Sequence, residues 1–249
     1  MDKYGLIGYP LGHSFSVNYF NQKFADEGIN AKYINFEISD VGQIIEVVSA
    51  NPELKGLNVT IPYKERVIEY LDQLSPEARA IGAVNVIRVT HDGGKLYLKG
   101  FNSDVIGFTQ SIEPMLESYH KKALVLGTGG ASKAICYGLK SLGVEPVCVS
   151  RYERSETICY KDITADVVQE YNVIVNCTPV GMFPRSNDCP QLPYEALDDK
   201  NILYDLVYNP DTTLFMKRGA ERGAQVKNGL EMLLLQAYAS WEFWNGKEQ

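Results

Sequence analysis

The chain has 249 residues, room for one large domain or two modest ones. A hydrophobic share of 45% and a charged share of 22% are those of a chain that folds around a core, which excludes the disordered and fibrous classes. A net charge of −7 without a long basic run argues against nucleic acid as a partner, and no apolar stretch is long enough to span a membrane.

The N-terminus, MDKYGLIGYP, passes from mixed charge straight into a strand pattern at 4–8 and does not read as a signal peptide. A helix follows to about residue 27, with Phe15, Tyr19, Phe20 and Phe24 near helical spacing. Ser14 and Ser16 sit at its entry. They can be read as helix caps, since Ser is a favoured N-cap, or as hydroxyls that receive an anion. Residues 31–38 alternate like a second strand, 41–50 read as a helix, and 56–60 read as a third strand. Pro62 is placed to open a helix over IPYKERVIEYLDQL, which puts Lys64 in its first turn, just past a strand end. Ligands gather at such ends in open α/β sheets, although most lysines are simply solvated. Residues 83–90 and 95–99 read as strands joined by HDGG, with Asn85 early in the first. Asp104 opens a helix expected to run to about residue 119, where capping is its ordinary use.

Residues 122–151 read as strand, glycine turn, helix, strand. Gly127, Gly129 and Gly130 form a turn whose backbone N–H groups can approach a pyrophosphate at a helix N-terminus. Ser132 stands where a third glycine of the G-x-G-x-x-G pattern would be, and an ordinary tight turn is the plainer reading. After the second strand come Ser150, Arg151 and Arg154 where an NAD site usually places an acidic residue. Guanidinium groups match a 2′-phosphate, so NADP is favoured over NAD; solvated surface arginines are the alternative. Further strands are expected at 173–176, 202–206 and 225–227, helices at 213–222 and over NGLEMLLLQAYASWEFW, whose aromatics read as core with Gln236 as the polar exception. The five cysteines form no C-x-x-C pair, which suits reduced thiols in a cytoplasmic protein. His13, His91 and His120 are scattered, so no metal is expected, and the last two read as surface residues.

The alternation predicts an α/β protein with two α/β domains, a mainly parallel N-terminal sheet and a Rossmann-like C-terminal domain, with a cleft between them for ligands. The expected boundaries are 1–103 and 104–228, with the last helix, 229–249, returning to the first domain.

Eight blocks occur in order: GYPLGHSFS (8–16), NVTIPYK (58–64), GAVN (82–85), FNSD (101–104), GTGGASKA (127–134), NCTPVGM (176–182), DLVYNP (205–210) and NGLEMLLLQA (228–237). Together they resemble the shikimate dehydrogenase family over nearly the whole chain. The resemblance implies reversible NADPH-dependent reduction of 3-dehydroshikimate to shikimate, within chorismate and aromatic amino-acid biosynthesis. It implies that Ser14 and Ser16 hold the substrate carboxylate, that Thr60, Asn85 and Gln236 bond the ring hydroxyls near Tyr208, and that Lys64 and Asp104 form the catalytic pair. Gly127, Thr128, Gly129, Gly130 and Ala131 would cradle the pyrophosphate, Ser150, Arg151 and Arg154 the adenosine phosphate end, and Leu206 and Gly229 the nicotinamide. The chain lacks the proline and histidine usual after the two serines, and has Ser150 and Tyr152 where the family has Asn and Thr. The partner is a small molecule, neither nucleic acid nor membrane, and a homodimer is the assembly this reading allows. Two other readings stay open: a quinate/shikimate dehydrogenase using NAD, and a non-catalytic nucleotide-binding regulator of the same fold.

Overall fold

The computed structural model describes residues 1–12, 14–93 and 95–247. The chain divides into two compact units, residues 1–103 with 237–249, and residues 104–236.

The first unit contains β1 (Asp2–Gly8), α1 (Phe15–Asp26), β2 (Ala31–Glu37), α2 (Ile44–Ser49), β3 (Leu54–Val59), β4 (Gln73–Leu74), α3 (Pro76–Ile81), β5 (Val86–Asp92) and β6 (Lys95–Phe101). Its sheet has the order β2-β1-β3-β5-β6-β4. β2, β1 and β3 are parallel, whereas β5 runs antiparallel to β3 and to β6. Because side chains alternate along a strand, Ile7, Leu57, Val59 and Ile87 face one apolar layer. Tyr4 lies opposite, in an aromatic layer with Phe20, Phe24, Tyr33 and Trp244. The Trp244 indole N–H donates to the Ile87 carbonyl at 3.1 Å, and Phe243 and Trp244 of the last helix are core as expected, whereas Tyr238 on the same helix is 54% exposed. α3 begins with Ser75 accepting from the Ala78 N–H and Pro76 in the first turn, and ends at Gly82 in the left-handed region.

The second unit contains α4 (Asp104–Ile112), β7 (Lys122–Leu126), α5 (Gly130–Ser141), β8 (Glu145–Ser150), β9 (Thr157–Cys159), α6 (Ala165–Glu170), β10 (Val173–Asn176), β11 (Ile202–Asp205), α7 (Leu214–Ala220) and β12 (Gln225–Lys227). α8 (Leu230–Trp244) begins in this unit and ends in the first. The sheet is all parallel, in the order β12-β11-β10-β7-β8-β9. Ala123 and Val125 of β7 face α4 and α5, while Leu124 and Leu126 face α6 and α7. Both faces are thus covered, which explains why its strands read as unbroken apolar runs.

Two expected helices differ. Instead of a helix opening at Pro62, the backbone turns through residues 61–65 into a 3-10 segment, Arg66–Tyr70. The Lys64 carbonyl accepts from the Val84 N–H at 2.7 Å and so serves the neighbouring loop rather than a helical bond. α4 stops at Ile112 and passes into a 3-10 turn, Glu113–Met115, because Pro114 cannot continue the α-helical ladder.

Candidate active site

In the first unit the predicted residues lie along one sheet edge. Ser14 and Ser16 follow the C-terminal end of β1, Thr60 and Lys64 follow β3, and Asn85 precedes the antiparallel β5. Backbone bonds tie these loops together: Thr60 N–H donates to the Ile7 carbonyl, Val59 N–H to the Asn85 carbonyl and Val84 N–H to the Lys64 carbonyl. Ser14 occupies the N-cap position of α1 with extended dihedrals, but its side chain makes no capping bond. Ser14 thus caps the helix by its backbone position, without the side-chain bond.

Beneath this edge runs a polar network that sequence reasoning missed. The Tyr33 phenol, 1% exposed, donates to Asn58 Oδ1 at 2.8 Å. Burial drives that phenol far above its ordinary range, and a hydrogen bond with Ser16 acts in the opposite direction. Asn58 Nδ2 donates to Ser240 Oγ at 3.0 Å and to the Asn85 carbonyl at 3.3 Å. Ser240 lies 3.1 Å from Ser103 Oγ, which accepts from Asn85 Nδ2 at 2.9 Å, while Ser103 N–H donates to Asn85 Oδ1 at 2.7 Å. Ser16 and Asn85, predicted as separate contacts, are thus linked through Tyr33, Asn58, Ser240 and Ser103.

The second unit carries the remaining predicted residues. Asp104 is the first residue of α4 and is buried. Gly127, at φ 118°, lets the chain leave β7 in a conformation that disfavours a side chain, and its N–H donates to the Val149 carbonyl at 3.0 Å. Gly129 is the N-cap of α5, and the space where its Cβ would stand is open. Thr128, Gly130 and Ala131 complete the turn at the helix N-terminus. Arg154 Nη1 donates to Thr128 Oγ1 at 3.4 Å, which brings a guanidinium to the glycine turn across the end of β8. The Arg151 guanidinium lies 5.9 Å from the exposed Tyr152 ring. Ser150 is buried, and its hydroxyl accepts from Tyr152 N–H at 3.2 Å. Glu153, a carboxylate close behind, is drawn into an ion pair with Lys161. An open helix N-terminus with the Arg154 guanidinium at its turn fits a dinucleotide that bears an extra phosphate.

Gly129 and Gly130 face the point where the strand order of this sheet reverses, between β7 and β10. Past β10, Thr178 N–H and Oγ1 both donate to Asn176 Oδ1. Asn176 Nδ2 donates at 2.9 Å to Asp205, which also accepts from Val207 N–H and, at 2.6 Å, from Thr213 Oγ1. Burial nonetheless pushes the Asp205 carboxyl up to about 6, against the pull of these three bonds. This second network fixes the loop that carries Leu206 and Tyr208. Gly229 N–H donates to the Val207 carbonyl at 3.2 Å, and a Cβ on Gly229 would collide with the Leu206 carbonyl. The structure thus brings Leu206 and Gly229 into contact. Tyr208 is exposed at 39%, and Gln236 on α8 donates to the Leu233 carbonyl at 2.9 Å.

One sequence expectation about histidine changes here. His120 is not a surface residue: it is 2% exposed, its Nδ1 accepts from Glu117 N–H and its Nε2 meets the Lys200 carbonyl at 3.0 Å. The ring satisfies a backbone N–H of the turn before β7 and a carbonyl of the turn before β11, which explains its burial. His13 lies outside the described residues. Among the described residues no group of His, Cys, Asp and Glu could hold a metal ion, and no helix is long and apolar enough to cross a membrane.

Residues 6–87 match the family model of the shikimate dehydrogenase substrate binding domain. A shikimate dehydrogenase (NADP(+)) of Carboxydothermus hydrogenoformans is 37% identical, over 97% of this chain and 91% of that protein. Shikimate 5-dehydrogenase from Thermus thermophilus, solved with NADP(H) and shikimate, superposes with a TM-score of 0.85 at 28% identity, covering 99% of this chain and 93% of that one. The enzyme from Listeria monocytogenes, solved with shikimate and NAD, superposes at 0.84 with 31% identity, covering 100% and 93%. A relative this close over nearly its full length is not a likeness of fold alone: the chain belongs to the shikimate dehydrogenase family.

Proposed function

We propose that the protein catalyses the reversible NADPH-dependent reduction of 3-dehydroshikimate to shikimate. The observation that carries this reading is the joining of the NVTIPYK and GAVN blocks. The 2.7 Å bond from Val84 N–H to the Lys64 carbonyl anchors the lysine backbone beside Asn85, at the sheet edge where ligands bind. The cofactor, when bound, supplies the hydride; all else must come from the protein. The Lys64 ammonium donates a proton to the ketone oxygen as negative charge grows there, and accepts it back in the reverse direction. Asp104 orients lysine and substrate. Ser14 and Ser16 hold the ring carboxylate, and Thr60, Asn85, Gln236 and Tyr208 select the ring hydroxyls.

On the second unit, Gly127, Thr128, Gly129, Gly130 and Ala131 receive the pyrophosphate on backbone N–H groups. Ser150 shapes the turn from which Arg151 and Arg154 hold the 2′-phosphate, and Leu206 and Gly229 bound the nicotinamide. The pairing of Glu153 with Lys161 supports NADP, because it draws the nearby carboxylate away from a ribose 2′-hydroxyl.

The test is reduction of NADP⁺ and of NAD⁺ by the purified protein with shikimate, followed by nicotinamide absorbance, with Lys64→Ala in parallel. NADP⁺ should be reduced much faster, and Lys64→Ala should lose about 10²–10⁴-fold in kcat while still binding NADP⁺. Silence of the folded wild type with both cofactors would refute the activity, and full turnover by Lys64→Ala would remove the lysine from the mechanism.

A further inference from the structure

All five thiols lie in the second unit, and three of them gather against its apolar layer. Cys136 lies on α5 and Cys148 on β8, and both are free and half-buried. Their sulfurs are 3.5 Å apart, about 1.5 Å beyond a disulfide bond. Cys177, just past β10, is packed against the same apolar layer.

The pair is chemically unequal. The two sulfurs share one hydrogen bond in which either can be the donor. With Cys136 as donor, that bond draws Cys148 down to about 7 despite its burial. Lys140, one turn along α5 from Cys136, adds to the same effect. That hydrogen bond, with burial and the neighbouring Cys148 and Cys177 sulfurs, drives the Cys136 thiol far above its ordinary range. Burial likewise raises Cys177 and keeps it a thiol. A thiolate with a protonated thiol in contact is the arrangement that exchange chemistry needs: one sulfur attacks and the second resolves.

We infer that Cys136 and Cys148 form a thiol–disulfide exchange site that takes a small-molecule disulfide and closes into an internal disulfide between α5 and β8. The Cys148 thiolate attacks one sulfur of the disulfide RSSR, forming a mixed disulfide and releasing RS⁻. Cys136 then gives up its proton and attacks the Cys148 sulfur, expelling the second RS⁻. The two protein sulfurs lose two electrons in all. RSSR is reduced by those electrons, and two RSH leave with the two protons. The bridge ties the helix that begins at the glycine turn to the strand that ends at Ser150, so it lies within the frame of the dinucleotide site without using any of its contact residues.

The experiment incubates the reduced full-length protein with oxidised glutathione. Free thiols should fall from five to three, with the intact mass lower by two hydrogens. A peptide map should recover a Cys136–Cys148 cross-link that dithiothreitol reverses. Cys136→Ser should stop at a glutathione adduct on Cys148, Cys148→Ser should leave Cys136 unreacted, and Cys177→Ser should behave as wild type. Retention of all five thiols, arrest of the wild type at the adduct, or a cross-link through Cys177 would each overturn the assignment. The wild-type measurement alone decides, whatever the folding of the variants.

Discussion

Asp205→Asn tests whether burial or hydrogen bonding governs the second network. Asp205 is fully buried and accepts from Asn176, Val207 and Thr213, yet its carboxyl is raised from 3.8 to about 6. A shift of that size corresponds to about 3 kcal/mol, at 1.36 kcal/mol per unit. The native group holds its proton between about pH 4 and 6, where the unfolded chain has already lost it. The native carboxyl therefore contributes stability below pH 4, and that contribution is lost as pH rises through 6. Asparagine has no proton to lose. It keeps the shape and two of the acceptor contacts, and its amide faces Thr213 Oγ1, which can reverse its role. Between pH 4 and 7 the wild type should therefore lose about 3 kcal/mol relative to Asp205→Asn, with other titrating groups cancelling in the comparison. The direct assay is the carboxyl ¹³C shift of Asp205, assigned by its disappearance in the variant. A midpoint near 6 is expected. A midpoint near 4, with parallel stability profiles, would show that the three bonds outweigh burial and refute the reasoning.

Other perturbations have equally specific outcomes. Ser103→Ala removes the acceptor 2.9 Å from Asn85 Nδ2 at a fully buried point, and should cost about 1–3 kcal/mol in thermal or urea unfolding while raising KM for shikimate. An unchanged KM would detach Asn85 from the substrate. Gly229→Ala sets a methyl against the Leu206 carbonyl and should destabilise by about 1–3 kcal/mol and weaken cofactor binding, read by thermal shift with and without NADP⁺. Arg154→Ala should raise KM for NADP⁺ by about tenfold or more and leave that for NAD⁺ nearly unchanged, since a charge-assisted phosphate contact is worth about 1.5–3 kcal/mol. Equal losses for both cofactors would argue against a 2′-phosphate contact.

Much of the second sheet was legible because its strands are continuous apolar runs and its glycine turn has a conformational reason. What escaped was structure decided by long-range partners. Lys64 was expected in a helix because Pro62 is a good first-turn residue, but the Val84 N–H 20 positions away claims the Lys64 carbonyl. His120 was read as a surface residue, yet its ring bridges Glu117 and Lys200, the latter 80 positions away. α3, α6, β4 and β9 went unread. The network from Tyr33 to Ser103 was invisible for another reason: Asn58 and Ser240 are 182 positions apart and share no pattern.

The path of α8 has a bearing on how the protein is made. Residues 104–236 hold every strand of the second unit, whereas the first unit needs residues 237–244 to cover its aromatic face. Trp244 stacks near Tyr4 and Phe20 and donates to Ile87, so the layer begun by the first strand stays uncovered until the last helix is synthesised. On the ribosome, the half that emerges first is therefore completed last. Its exposed aromatic face must be kept from other chains throughout the time in which the second half is being translated.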